Sequence, residues 1–208
     1  MRRLWMLSLV VGSLVVFGSS AVSAQDATPA AASDRSTFVV PPAQCVINTL
    51  LPGVLNSLAT PAEAAEAPPA AMASDIPFAI PAGTAADAET ATAVTDIFRQ
   101  SFACENSGNL SRYFSLLTES RIRASFTADE IAGVVGIPPV PVPDEEQTAL
   151  YAILNVTIHG DGRAGAYVIV DTVANPDPVE VLYMIAAETA AGWRIDDVIT
   201  FAADGTVA

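Results

Sequence analysis

The sequence predicts an α+β domain in which three helices pack on a curved, four-stranded antiparallel sheet. After residue 84, apolar residues recur every three or four positions, which is the period of an amphipathic helix. Beyond residue 147 they alternate instead, in four runs over 148–159, 163–173, 179–188 and 193–201 with short separators. Helices followed by a meander of strands are typical of the α+β class.

The first 24 residues have the composition of a signal peptide. Arg2 and Arg3 precede an apolar stretch over 4–17, and small residues lead to Ala24. Because signal peptidase recognises this pattern, we expect cleavage after Ala24 and a secreted or extracytoplasmic protein. The alternative is an uncleaved signal that anchors the chain in a membrane. The apolar stretch is shorter than the roughly 20 residues of a spanning helix, which favours cleavage.

Residues 25–83 are rich in alanine and proline, which predicts a largely extended tail. A short apolar segment near 45–51 interrupts this tail, and we expect it to dock on the domain 84–208 as a strap or, alternatively, as a lid over a pocket. The chain has two cysteines, Cys45 and Cys104. Outside the cytoplasm they are expected to form one disulfide bond, and two buried free thiols are the alternative.

Three helices are predicted in the first half of the domain. Asp87 suits the N-terminus of the first helix, and Gly108 is its predicted stop because glycine tolerates the left-handed conformation. A second, short helix follows over 110–117. Thr127 and Glu130 form a capping-box pattern, which predicts a third helix.

The first hairpin predicts which strand residues share a face. If His159 pairs with Arg163 across the turn, the even-numbered residues of both strands form an aliphatic face that packs on the helices. His159 itself, beside the glycine turn, is expected to be a solvated loop imidazole. The opposite face is too apolar for a solvated surface and predicts a partner surface, with a homodimer as the expected assembly. Its apolar residues are Tyr151, Ile153, Tyr167 and Ile169.

Four segments resemble the nuclear transport factor 2-like superfamily, which includes SnoaL-like polyketide cyclases and ketosteroid isomerase. They are ENSGNL, RYFSLLTES, VTIHGDGRAGAYVIV and GWRIDDV, and the resemblance covers about residues 85–204. It implies a cone in which a curved sheet wraps around the first helix, a pocket at the open end, and an outer sheet face that supports dimers. Many members have a further small hairpin or strand where this chain has the proline-rich stretch 137–143.

Composition excludes several functions. The formal net charge is −14 and every cation is an arginine, so the chain lacks the clustered cations of a sequence-independent nucleic-acid binder. Two cysteines and one histidine are too few for a zinc site of the usual type. No P-loop, dinucleotide glycine fingerprint or nucleophile elbow is present, so no metal or cofactor is expected.

The expected function is a secreted, non-catalytic domain that binds a small hydrophobic ligand or a protein partner, because the inward strand face offers no acid or donor. The residues expected to line a ligand pocket are Phe98, Phe102, Phe114, Leu154, Val168, Met184 and Trp193. The resemblance implies an alternative, an acid–base enzyme of the SnoaL or ketosteroid isomerase type. In that alternative Asp197 or Glu188 is the base, and Tyr113 is the hydrogen-bond donor.

Overall fold

The computed structural model describes residues 34–50, 52–60, 80–172 and 179–201. The predicted signal peptide and its cleavage site at Ala24 lie outside these residues, as do parts of the predicted tail. The described residues form five α-helices and one antiparallel sheet of five strands, so the chain is an α+β protein.

The helices are α1 (Pro52–Ala59), α2 (Ala88–Asn106), α3 (Leu110–Ser115), α4 (Glu119–Ser125) and α5 (Ala128–Gly133). α2 is the long predicted helix, and it begins where the Asp87 side chain accepts a hydrogen bond from the Thr90 N–H at 2.8 Å. It ends before Gly108, which has the left-handed φ of 62°. The predicted capping box of Thr127 and Glu130 begins α5. The predictions for these two helices are confirmed.

Two helices go beyond the predicted three. α1 lies within the predicted tail, yet its Leu55 and Leu58 are buried in the main core. α4 begins after Thr118, whose hydroxyl accepts a hydrogen bond from the Arg121 N–H at 3.2 Å. In α4 only Ile122 is buried. α4, with one buried residue, carries too little periodicity to be predicted. α1 does have apolar residues at helical spacing, Val54, Leu55 and Leu58, but the alanine and proline around it favoured an extended tail.

The sheet is a meander in chain order, β1–β2–β3–β4–β5. Its strands are β1 (Gly83–Ala85), β2 (Ala149–His159), β3 (Ala164–Asp171), β4 (Val179–Thr189) and β5 (Gly192–Thr200). The last four are the predicted strands. The predicted count of four is wrong because β1 adds a short edge strand that pairs with the end of β2. Three residues are too few to show an alternating pattern.

The first hairpin begins in the predicted register and then departs from it. His159 donates its backbone N–H to the Arg163 carbonyl at 2.8 Å, as the predicted turn requires. Counted from the turn, a first irregularity shifts the pairing between Thr157 and Leu154, and a second one shifts it between Ala152 and Leu150. Asn155, within the first of these bulges, has a φ of 56°. A one-residue shift turns the following side chains to the opposite face of the sheet.

The first bulge overturns three predicted face assignments, including that of Ala152, which pairs with Ile169 on the outer face instead of facing the main core. Leu154 pairs with Tyr167 on the face away from the main core, and it is 45% exposed, so its predicted inward position is wrong. Ile153 pairs with Val168 and packs against the main core, so its predicted outward position is also wrong. In all three cases the bulge supplies the reason, because it inserts an extra residue into the alternation of β2.

Residues 34–50 together with α1, hereafter the strap, are fastened to the domain. The predicted disulfide bond between Cys45 and Cys104 is present and joins the strap to α2. The side-chain amide of Asn106 donates to the Val40 carbonyl at 3.0 Å. These contacts, with the buried leucines of α1, make the strap part of the main core.

Candidate functional site

The outer face of the sheet, opposite the main core, is built from cross-strand pairs. Tyr167 pairs with Tyr183, and their rings meet edge to face with centroids 5.1 Å apart. Tyr183 also pairs with Ile199 on β5. A second apolar cluster, hereafter the outer cluster, consists of buried Tyr183, Ile185 and Ile199 with Ile80, Tyr167 and Phe201 packed against them.

Beyond the outer cluster, the same face carries exposed apolar side chains. Leu154, Val179 and Val181 are 45%, 53% and 38% exposed, and we call them the exposed stripe. Leu154 lies opposite Tyr167 on β3. Val181 lies opposite Ile169, and Val179 is two residues away on the same strand. Of the seven large apolar side chains exposed among the described residues, three belong to this stripe, which is a concentration and not a scatter.

The four residues of the predicted partner surface divide in the structure. Tyr167 and Ile169 lie on the outer face and are half-buried. Tyr151 is covered by Phe38 of the strap, with ring centroids 4.8 Å apart. Its hydroxyl donates to the Asp171 carboxylate at 3.2 Å. The fourth residue faces the main core, as described above.

His159 lies on the outer face at the end of β2, and its predicted solvation is wrong because the residue is only 3% exposed. Its Nε2 lies 2.9 Å from the Tyr183 hydroxyl, which is 3.3 Å from the Thr157 hydroxyl. Its Nδ1 is buried and has no hydrogen-bond partner among the described residues. Burial lowers the pKa of His159 below its ordinary 6.5, against the opposing effect of the nearby Asp161 carboxylate.

The two carboxylates of the enzyme alternative lie apart. Asp197 is opposite Ile185 on the outer face and accepts a hydrogen bond from Arg121 at 2.8 Å. Glu188 is exposed near the end of β4, opposite Trp193. Ile185 and Glu188 are three residues apart on one strand, about 10 Å at the usual rise, and they point to opposite faces. The two candidate bases therefore do not share a site.

Tyr113, the candidate donor, lies on α3 and is half-buried beside Phe114. Burial is the main cause that raises the pKa of its phenol, the Glu105 carboxylate adds to it, and the Arg121 guanidinium opposes it. Among the residues that the structure describes, no hydrogen bond joins Tyr113 to Asp197 or Glu188. The arrangement therefore does not assemble a base and a donor around one reacting atom.

Asp196, beside Asp197, forms hydrogen bonds that join separate elements of the fold. Its Oδ1 accepts a hydrogen bond from the Thr118 hydroxyl at 2.9 Å, and its Oδ2 accepts one from Arg163 at 3.0 Å. Arg163 also pairs with Asp161 in the β2–β3 turn at 2.8 Å. These bonds tie the start of α4 and the first hairpin to β5.

The residues expected to line a ligand pocket are mainly core residues. Phe98, Phe102, Phe114, Val168 and Met184 are buried in the main core, and Trp193 packs against it. Leu154 lies on the other face of the sheet. A cavity of about 250 Å³ lies elsewhere, between α1, α4 and α5. It is lined by Leu58, Ala59, Thr60, Arg123, Phe126, Ala128 and Ile131.

The one charged residue of this cavity is already engaged. The Arg123 guanidinium donates to the carbonyls of Ser57, Leu58 and Thr60 at 2.8 to 3.1 Å. Those carbonyls belong to the end of α1, where a helix leaves acceptors unpaired. Arg123 therefore caps α1 and holds it against α4.

No family model, curated protein or solved structure matches this chain. In the part of the chain that the structure describes, no group of three or more His, Cys, Asp or Glu residues is placed to hold a metal ion. None of the described helices combines the length and the apolar composition that crossing a membrane requires.

Proposed function

We propose that this chain is a secreted, non-catalytic binding domain whose outer sheet face associates with a second copy of the chain. The observation that carries the proposal is the exposed stripe. Its three side chains adjoin the half-buried Tyr167 and Ile169, so aliphatic and aromatic groups share one sheet face. Aromatic residues are enriched in the cores of protein interfaces, where charged residues are depleted.

Charge favours a second copy as the partner. The chain has a formal net charge of −14, so two copies repel each other wherever acidic surfaces meet. The three side chains of the exposed stripe are uncharged, and the Asp171 carboxylate opposite Val179 is buried and paired with Arg35, so two copies that meet through the stripe bring no unpaired like charges together there. A two-fold axis brings the same patch of both copies together, which an apolar patch tolerates because it needs no complementary charge.

The interior of the domain supports a binding function through the surface, not through a pocket. Apart from Leu154, the residues expected to line a pocket are buried in the main core or packed against it, where side chains pack closely and stabilise a scaffold. We retain the nuclear transport factor 2-like cone as part of the proposal. The meander of four long strands after α2, and the outer face available for association, support it.

Secretion is also part of the proposal. Cleavage after Ala24 would release residues 25–208 outside the cytoplasm. The disulfide bond between Cys45 and Cys104 supports this, because such bonds form and persist in oxidising compartments.

Sedimentation equilibrium of residues 25–208 over a micromolar concentration range tests the proposal. We expect the mass of a dimer for the unaltered protein. Leu154→Asp and Val181→Asp each place a carboxylate in the exposed stripe, and each should weaken association by about tenfold or more, which corresponds to roughly 1.4 kcal/mol. Both positions are exposed, so the variants should keep the fold.

Val140→Asp is the matched control. Val140 is 72% exposed but lies in the loop before β2, beside Gly108 at the end of α2, a helix that packs in the main core on the other side of the sheet. The Val140→Asp variant carries the same valine-to-aspartate change as Val181→Asp but outside the exposed stripe, so its dimer should persist. A monomer at every concentration of the unaltered protein, or equal loss of association in all three variants, would contradict the proposal.

A further inference from the structure

The buried His159 has an incomplete hydrogen-bond set. Its Nε2 is engaged with Tyr183, whereas its Nδ1 is buried without a partner among the described residues. A neutral imidazole tolerates one unpaired ring nitrogen that accepts, at a modest cost. An imidazolium donates from both nitrogens and carries a charge, so at this position it would be a buried cation with one donor unpaired.

The structure around His159 leaves little space for adjustment. The outer face accommodates the Tyr183 ring only because residue 165 is glycine, since a Cβ there would lie 2.5 Å from the Tyr183 hydroxyl oxygen. On the side of His159 away from Tyr183, the edge strand β1 also approaches closely. A Cβ on Gly83 would lie 2.6 Å from the Ile158 carbonyl oxygen and 3.3 Å from Cδ2 of His159. The imidazole is therefore held between the edge strand and the outer cluster.

Few charged groups face the imidazole. Asp161 in the β2–β3 turn stabilises the imidazolium, and Arg163 at the start of β3 opposes it. These two side chains pair with each other at 2.8 Å, which reduces the effect of either one. On β4 the titratable group in contact with the imidazole is Tyr183, and the residues of β1, Gly83–Ala85, contribute no charge.

We propose that His159 is a proton-sensitive lock that holds β1 and the Tyr183 hydroxyl in place while its imidazole is neutral, and releases them when the imidazole takes up a proton. In the released state β1 separates from β2, and His159 reaches water. Tyr183 of the outer cluster loses its hydrogen bond to His159 at the same time. The lock acts within one copy of the chain, so it does not depend on the association proposed above.

The direction of the pH effect follows from the two environments of His159. In the closed state burial holds the pKa below 6.5, and in the open state the pKa returns to about 6.5. Opening therefore takes up a proton as the pH falls below about 6.5. The equilibrium ratio of closed to open molecules is highest above that pH, and it falls by up to about tenfold for each pH unit below it.

Two measurements on the unaltered protein test the lock. His159 is the only histidine of the chain, so one imidazole C–H resonance reports its titration without assignment ambiguity. We expect that resonance to titrate below pH 6.5. The second measurement is the protection of the Ala86 N–H against hydrogen exchange, because this group bonds to the Val156 carbonyl at 3.0 Å where the chain leaves β1. We expect the Ala86 protection factor to fall between pH 6.5 and pH 5.

The opposite edge of the sheet supplies the internal control. The Ile195 N–H bonds to the Leu116 carbonyl at 2.7 Å, far from β1 in the strand order. Its protection factor should stay constant over the same pH range. A resonance that titrates at or above pH 6.5, a flat Ala86 profile, or a parallel fall at Ile195 would each overturn the lock.

Variants make the test specific to the imidazole. His159→Gln cannot titrate, so its Ala86 protection factor should be independent of pH in this range. Asp161→Asn removes the carboxylate that stabilises the imidazolium, so the His159 resonance should titrate at a lower pH than in the unaltered protein. If His159→Gln fails to fold, the unaltered protein and Asp161→Asn still decide the outcome.

Discussion

The guanidinium of Arg35 donates a hydrogen bond to the carboxylate of Asp171 at 3.0 Å, across 136 positions of sequence. Arg35 belongs to the strap and Asp171 ends β3. The same guanidinium also donates to the Gln147 carbonyl just before β2. One ion pair and one hydrogen bond thereby join the strap to the end of β3 and to the residues just before β2.

Arg35→Ala should lower the free energy of unfolding by about 2 kcal/mol, because it leaves the buried Asp171 carboxylate without its cation. Arg121→Ala is the matched control. Its pair with Asp197 is more open to water on the acidic side, so its loss should cost less than about 1 kcal/mol. Urea unfolding midpoints measure both values, and equal losses would show that Arg35 contributes no more than a surface pair.

Removal of the disulfide bond should destabilise the fold strongly. The bond closes a loop between cysteines 59 positions apart, and replacing both cysteines with alanine should lower the free energy of unfolding by roughly 4 kcal/mol in the chain-entropy model. Urea unfolding of the double variant measures the loss. Mass spectrometry after alkylation of the unreduced, denatured protein checks the premise, and two alkylated thiols would contradict it.

Gly108 and Gly133 provide a matched pair of glycine substitutions. Gly108 has a φ of 62°, and an added Cβ would lie 1.9 Å from the Val140 carbonyl oxygen, so Gly108→Ala should cost about 3 kcal/mol. Gly133 lies in the last turn of α5 with no atom near an added Cβ, so Gly133→Ala should stabilise by up to about 1 kcal/mol. Thermal unfolding of the two variants should move in opposite directions, and similar shifts would contradict the assignment of Gly108 as the helix stop.

The elements that the sequence predicted have local causes. Asp87, Gly108 and Thr127 mark helix ends through bonds or backbone conformations within a few residues. The four long strands were predicted by alternation, which the sheet follows except where irregularities shift the pairing. α1 was missed because the alanine- and proline-rich composition around it favoured an extended tail. α4 was missed because it buries one residue and is held by distant partners, such as the Arg123 contacts with the end of α1.

The candidate site was predicted less well because its geometry depends on one bulge. Asn155 tolerates a positive φ better than most residues, yet nothing in the alternation around it indicates where an extra residue enters the strand. The bulge moves Leu154 to the outer face and Ile153 to the core. His159 had a usable signal, since strict alternation puts it on the face of Thr157, but its position beside a glycine turn favoured the wrong prediction.

The most direct test of the proposed association is the solvent accessibility of the stripe methyl groups, measured by paramagnetic relaxation with a soluble probe. At low concentration the methyl resonances of Leu154, Val179 and Val181 should be strongly relaxed, as those of Val140 should be, because all four side chains are exposed. At high concentration we predict that the probe loses access to the three stripe residues while Val140 stays accessible. Stripe methyls that remain equally accessible at both concentrations would contradict the central claim.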